Sequence, residues 1–243
     1  MSITFQIHPG DPFEFSSKEH LNSKIWIGNV LRPLIRHKLI ESSKKFIEYL
    51  DIVPNAAITD IQFTGSLANF NYTDYSDIDL HILVDLGKIG DNEEWIQMIL
   101  KGKRAAWNNR HDIRIKGYEV EFYAQDSKEV HASTGVYSIL KNKWVKTPSR
   151  VDFKLDKKQI MTKVISFQDR FYSAMKEELS ERLLQLKSLK QKILVMRRSG
   201  LKRGGEYSNE NLTFKVLRRL GFIYRVNKEI NKAVDAELSL NGT

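Results

Sequence analysis

The sequence predicts an α+β protein: an N-terminal mixed sheet with flanking helices over residues 1–150, then a C-terminal α-helical domain over residues 151–243. Two observations carry this expectation. In the first part, short apolar segments of strand character alternate with segments of helical period. From Asp156 onward the chain reads as helical, with apolar residues recurring by three and four between Leu179 and Met196. Charge divides the chain in the same way. Residues 181–232 hold 14 Lys/Arg against 4 Asp/Glu, a net of +10 in a chain whose total is +9.

Taken in order, residues 26–50 place Ile27, Val30, Leu31, Leu34, Ile35, Leu39, Phe46, Ile47 and Leu50 near helical spacing, with Pro33 as a helix start or a kink. Residues 57–63 read as a strand running into Gly65-Ser66. Residues 77–84 read as a second strand, parallel or antiparallel to the first. Residues 92–108 read as a helix with Trp95, Ile96, Ile99, Leu100 and Trp107 on its buried side. Lys116-Gly117 between residues 113–115 and 118–124 predicts a hairpin, and residues 136–140 and 144–146 around Lys141-Asn142-Lys143 repeat the pattern.

In the second part, Leu179, Leu183, Leu186, Leu189, Ile193 and Met196 form one face of a long helix. Residues 200–205 read as a flexible basic loop. Ser208 is an expected N-cap with Glu210 in the first turn, Leu212, Val216, Leu217 and Leu220 share a face, and Gly221 is the expected stop.

The absence of cysteine excludes disulfides and thiolate metal sites, so a metal here is held by oxygen or histidine. The N-terminus lacks a basic segment followed by an apolar run, and no apolar run approaches the roughly 18 residues of a membrane span. A soluble cytoplasmic protein without a membrane partner is expected. The basic C-terminal region points to a polyanionic partner, with a solvated helix surface as the alternative.

The chemistry concentrates in Thr64-Gly65-Ser66, a ten-residue link, and Asp77-Ile78-Asp79-Leu80. Side chains at i and i+2 of a strand share a face, so the carboxylates of Asp77 and Asp79 point the same way and favour a bound cation. Gly65 permits a tight turn beside a ligand, and a helix starting after Ser66 would direct N–H groups at a phosphate. Mg²⁺ or Mn²⁺, bound by carboxylates plus phosphate oxygens rather than by an all-protein cage, suits such a pair. Two-metal sites usually add a third carboxylate, and the apolar strand Tyr118-Glu119-Val120-Glu121-Phe122-Tyr123 offers one.

Gly65-Ser66, the link, Asp77-Ile78-Asp79 and a later strand carboxylate together resemble the DNA polymerase beta-type nucleotidyltransferase superfamily. The resemblance covers roughly residues 57–125. Around Tyr137 and residues 208–219 the chain is also similar to phage-encoded nucleotidyltransferases. The resemblance implies that Ser66 contacts the triphosphate, and that Asp77, Asp79 and Glu121 bind two metals and activate the attacking hydroxyl. Glu119 shares the strand face of Glu121, and Asp112 and Asp85 are outside candidates. Glu121 is preferred because Val120 and Phe122 flank it, whereas Glu119 lies nearer the Gly117 turn.

Further candidates are scattered. His81 follows the motif at strand spacing and suits a supporting hydrogen bond better than metal ligation. His111 and His131 are isolated. Tyr137, Ser138 and Ser133 are candidates for a base or ribose pocket, with the core as the alternative place for a hairpin aromatic. Lys187, Lys190, Arg197, Arg198, Lys202, Arg203, Arg218 and Arg219 are candidates for gripping a triphosphate or an RNA backbone.

The expected activity is transfer of a nucleoside monophosphate from an NTP to an acceptor hydroxyl, on an RNA such as a tRNA 3′ end. A small molecule or a protein side chain is the alternative acceptor. A catalytically silent, antitoxin-like binding module is the alternative of another class. The choice among ATP, CTP, GTP and UTP is not written in local sequence.

Overall fold

The computed structural model describes residues 11–129 and 133–239, which form two compact units. One is Phe15–Asp152; the other comprises residues 153–239 together with 11–14. The protein is α+β, with a mixed sheet and a C-terminal helical region.

The sheet unit opens with β1 (Trp26–Ile27) and β2 (Val30–Leu31), a short antiparallel hairpin where helical spacing predicts a helix. Pro33 is the reason. Proline disfavours helical backbone in the residue before it, and Arg32 is extended at φ −56 and ψ 133. Proline's own fixed φ suits a first helical turn, so α1 (Pro33–Leu50) begins there without a kink. Ile35, Leu39, Phe46 and Leu50 form its buried stripe.

Strand β3 (Ile58–Thr64) pairs antiparallel with β4 (Ile78–Val84), Thr64 opposite Asp79. Helix α2 (Glu93–Arg110) then carries the chain across to β6 (Tyr118–Asp126), which lies parallel to β4 with Glu121 opposite Asp79. Asn92 caps α2 by accepting from the Trp95 N–H. Of its expected buried side, Ile96, Leu100 and Trp107 are buried, but Trp95 and Ile99 are 65% and 39% exposed. One residue of helix is about 100° of rotation, enough to turn 95 and 99 away from the stripe at 96 and 100.

Strand β5 (Arg114–Ile115) forms the hairpin with β6, and both turn residues are left-handed, Lys116 at φ 54 and Gly117 at φ 89. Where β5 stops, Asn108 of α2 replaces a strand. Its side chain donates to the Phe122 carbonyl and accepts from the Phe122 N–H. Strands β7 (Val136–Ser138) and β8 (Lys143–Lys146) complete the order β5-β6-β4-β3-β7-β8.

Alternation divides the sheet into two faces. Ile78, Leu80, Ile82 and Val84 of β4, with Val120 and Phe122 of β6, are buried, and Phe122 meets Phe46 of α1 at 5.0 Å between rings. The intervening residues, Asp79, His81, Glu121 and Tyr123, are half-buried on the other face. That contrast positions the candidate site.

The second unit contains α3 (Lys157–Ala174), α4 (Leu179–Gly204), α5 (Asn209–Arg219) and α6 (Phe222–Leu238). The loop expected at 200–205 is instead the last turn of α4. Gly200 sits against α5, where a Cβ would lie 2.5 Å from that of Glu210, so this glycine serves helix packing. Chain reversal waits for Gly205 at φ 65. Ser208 caps α5 by accepting from the Asn211 N–H, and Gly221 at φ 67 ends it. Among the described residues, no helix is long and apolar enough to cross a membrane.

Candidate active site

The site begins where β3 ends. Gly65 adopts φ 77, and a Cβ built there would lie 1.8 Å from Oδ2 of Asp79. Only a glycine lets the backbone turn come this close to that carboxylate. Asn69 secures the turn by donating to the Gly65 carbonyl at 2.9 Å, and its Oδ1 accepts from Thr134 Oγ1 at 2.8 Å. Ser66 donates to Ser76 Oγ at 2.7 Å, and Ser76 Oγ also accepts from the Thr73 N–H. The Gly-Ser turn is thereby tied to the loop that delivers Asp77.

A helix does not start after Ser66. Residues Ser66–Ala68 form a single 3₁₀ turn, with the Ala68 and Asn69 N–H groups already bonded to Gly65 and Ser66 carbonyls. A full helix dipole is therefore not available at this turn.

Asp77 immediately precedes β4, and Asp79 lies on its half-buried face. Glu121 is the register neighbour of Asp79 on the parallel strand. Its Oε2 accepts a 2.6 Å hydrogen bond from the Tyr123 hydroxyl. Burial, followed by the negative charges of Glu121 and Asp79, holds the Tyr123 hydroxyl far above its ordinary pKa. Tyr123 is therefore a permanent donor to Glu121 near neutral pH.

The competing carboxylates go elsewhere. Glu119 is opposite Arg114 and 3.8 Å from its guanidinium, which also pairs with Asp112 at 2.8 Å. Asp112, Glu119 and the charge of Asp77 together push the Arg114 pKa up, the hydrogen bond that Arg114 donates to Asp112 contributing most. Asp85 lies past the end of β4, 3.8 Å from Lys88.

Among the described residues, no group of three His, Asp or Glu side chains converges as a ready-made metal cage. The donors present still suit a hard cation. They are carboxylate oxygens, one of them pressed against a side-chain-free turn. Mg²⁺ is commonly held by one or two carboxylates, with water and phosphate oxygens completing its shell.

No protein-family model and no curated protein matches this chain. The assignment of roles rests on the residues themselves.

Tyr137 is not part of a nucleotide pocket. Its ring is 1% exposed, packed edge-on to Trp26 and Trp144, and its hydroxyl donates to Asn142. Trp26 explains this, since it also stacks on Phe63 and donates from Nε1 to the Leu67 carbonyl. Ser138 is likewise buried and donates to Asp60, while Ser133 donates to the Gly135 carbonyl. Lys190 is exposed on α4, in the other unit, along with Lys187, Arg198 and Lys202. Arg219 is engaged structurally, donating to the carbonyls of Pro12 and Glu14, and Arg197 lies over the Phe214 ring.

His81 stacks on Tyr123 with ring centroids 4.6 Å apart, and its Nδ1 is 2.7 Å from Gln125 Oε1. His111 is exposed beside Trp107, and His131 lies outside the described residues. Tyr123, Ser76, Asn69 and Arg104 are the residues of this region that motif reading misses. Strand alternation contains the signal for Tyr123, two positions beyond Glu121 as His81 is beyond Asp79.

Proposed function

We propose that the chain is a metal-dependent nucleotidyltransferase of the DNA polymerase beta type, moving a nucleoside monophosphate from an NTP to an acceptor hydroxyl. The observation that carries this reading is the Asp79–Glu121 pair on adjacent parallel strands, with Gly65 against the Asp79 carboxylate. Gly65 and Ser66 would receive the triphosphate. Glu121 would accept the proton of the acceptor hydroxyl, whose oxygen forms a bond to the α-phosphorus. The bond from that phosphorus to the bridging oxygen breaks, and pyrophosphate leaves with the electron pair.

Mg²⁺ or Mn²⁺, held by one or two of the carboxylates of Asp77, Asp79 and Glu121 with water and phosphate oxygens completing the shell, would supply charge stabilisation for the phosphoryl oxygens. The protein's own share is alignment: Tyr123 fixes the Glu121 carboxylate, and Asn69 and Ser76 fix the turn.

The acceptor favoured is RNA, through the basic helical region. Residues 181–232 carry the net charge of +10, with Lys187, Lys190, Lys192, Arg198 and Lys202 exposed along α4. The test is incubation with Mg²⁺, total RNA and each α-labelled NTP in turn, beside Asp77→Ala/Asp79→Ala. Label entering RNA from one NTP, in wild type alone, is the expected result, with RNA retention falling steeply as salt rises. Label on a small molecule or on protein would move the acceptor. NTP left intact under every condition would remove the enzyme reading.

A further inference from the structure

The face that carries Asp79 and Glu121 continues along both strands to His81, Tyr123 and Gln125. There it borders a cavity of about 290 Å³ whose opposite wall is Gln97, Lys101 and Arg104 of α2. These three are spaced four and three apart, so one side of the helix presents them together. The cavity is joined to the carboxylates through one residue. Tyr123 holds Glu121 through its hydroxyl at 2.6 Å, and its ring lies 4.9 Å from the Arg104 guanidinium.

The polar groups are graded along the cavity. Arg104 stands beside Tyr123, the residue bonded to Glu121, and Lys101 lies one turn away on α2. Among the described residues, neither cation has a carboxylate within ion-pair distance, and the Gln97 side chain makes no hydrogen bond. The acids in the wall are at the far end. Asp126 is 7% exposed and accepts from the Lys128 N–H, while Glu129 is exposed beyond it. The volume is at the small end for ligand cavities, about the size of one nucleotide-like unit.

We propose that this cavity is the acceptor subsite, taking a ribose phosphate unit with a hydroxyl toward Glu121 and its phosphate against Lys101 and Arg104. The acceptor role rests on the transferase reading; the binding chemistry does not. Two cations without carboxylate partners, set one helical turn apart, suit a phosphate that can accept from both. His81 and Tyr123, stacked on each other, line the same cavity beside these cations. The same unit occurs as the 3′-terminal nucleotide of an RNA and as a free nucleotide or sugar phosphate.

The experiment is titration of the full chain with ribose 5-phosphate by ligand-observed NMR, with ribose as control and no NTP present. Saturable binding of ribose 5-phosphate, weakened at least tenfold by Lys101→Gln and by Arg104→Gln, is expected, with ribose much weaker throughout. Lys101 is exposed, so Lys101→Gln reads the site even where Arg104→Gln disturbs folding. Displacement by single-stranded RNA with a free 3′ end identifies RNA as the source of the unit, and failure to displace identifies a free sugar phosphate. Absent saturation, or wild-type binding by both variants, overturns the proposal. Binding of a non-hydrolysable MgNTP analogue is measured in the same samples. Its absence alongside intact ribose 5-phosphate binding would overturn the transferase reading and leave the subsite standing.

Discussion

A Cβ on Gly65 would lie 1.8 Å from Oδ2 of Asp79, so the Gly-Ser turn and the first metal-ligand candidate occupy adjoining space that admits no side chain. The left-handed φ of 77 adds backbone strain for any other residue. Gly65→Ala must therefore displace Asp79 or the turn. Expected are a loss of about 1–3 kcal/mol in stability and a fall in nucleotide transfer on the order of a hundredfold. Thermal melting and an NTP transfer assay read the two effects, and a fully active Gly65→Ala would contradict this packing.

Tyr123 gives a pH-dependent prediction. Its folded-state pKa is raised well above the ordinary 10.0, chiefly by burial and then by Glu121 and Asp79. Below that ordinary value both folded and unfolded states hold the proton, and the contribution of Tyr123 is complete. Above it the unfolded chain releases the proton first, so stability declines by about 1.4 kcal/mol per pH unit. Tyr72, Tyr137 and Tyr207 are also raised, but they are common to wild type and Tyr123→Phe and cancel in the difference. Denaturant unfolding from about pH 9 to 11 should show wild type losing stability relative to Tyr123→Phe. Parallel curves would contradict the burial of the Tyr123 hydroxyl beside Glu121 and Asp79.

The buried position of Tyr137 separates core from pocket. Tyr137→Phe loses one hydrogen bond to Asn142 and should cost about 1 kcal/mol, with NTP affinity unchanged. Trp26→Ala removes the centre of the Phe63, Tyr137 and Trp144 cluster and should cost about 3–5 kcal/mol. Chemical denaturation and nucleotide binding measure both. A Tyr137→Phe chain that folds normally but loses NTP affinity would return the ring to a ligand pocket.

Much of the sheet unit was legible because its signals are local. Alternation in β4 and β6 and the Lys116-Gly117 turn each depend on neighbours within a few residues, as does the Ser208 cap in the helical unit. The errors came where one pattern served two structures. Trp26, Ile27, Val30 and Leu31 fit a helix stripe as well as a tight hairpin, and only Pro33 distinguishes them. Gly200, Gly204 and Gly205 read as a loop, yet Gly200 is required by close helix contact with Glu210 and Ser208. The preference for Glu121 over Glu119 rested on flanking apolar residues. The placement that separates them, Glu121 opposite Asp79 and Glu119 opposite Arg114, is set by pairing across the sheet and has no short-range signature.

The measurement closest to the centre of this account is transfer of α-phosphate label by wild type, Asp79→Asn, Glu121→Gln and Glu119→Gln, assayed in parallel with Mg²⁺ and RNA. The Asp79–Glu121 pair predicts losses of at least about a hundredfold for Asp79→Asn and Glu121→Gln. Glu119→Gln, beside Arg114, should stay within about threefold of wild type. Full activity in Asp79→Asn, or a loss in Glu119→Gln equal to that in Glu121→Gln, would contradict it.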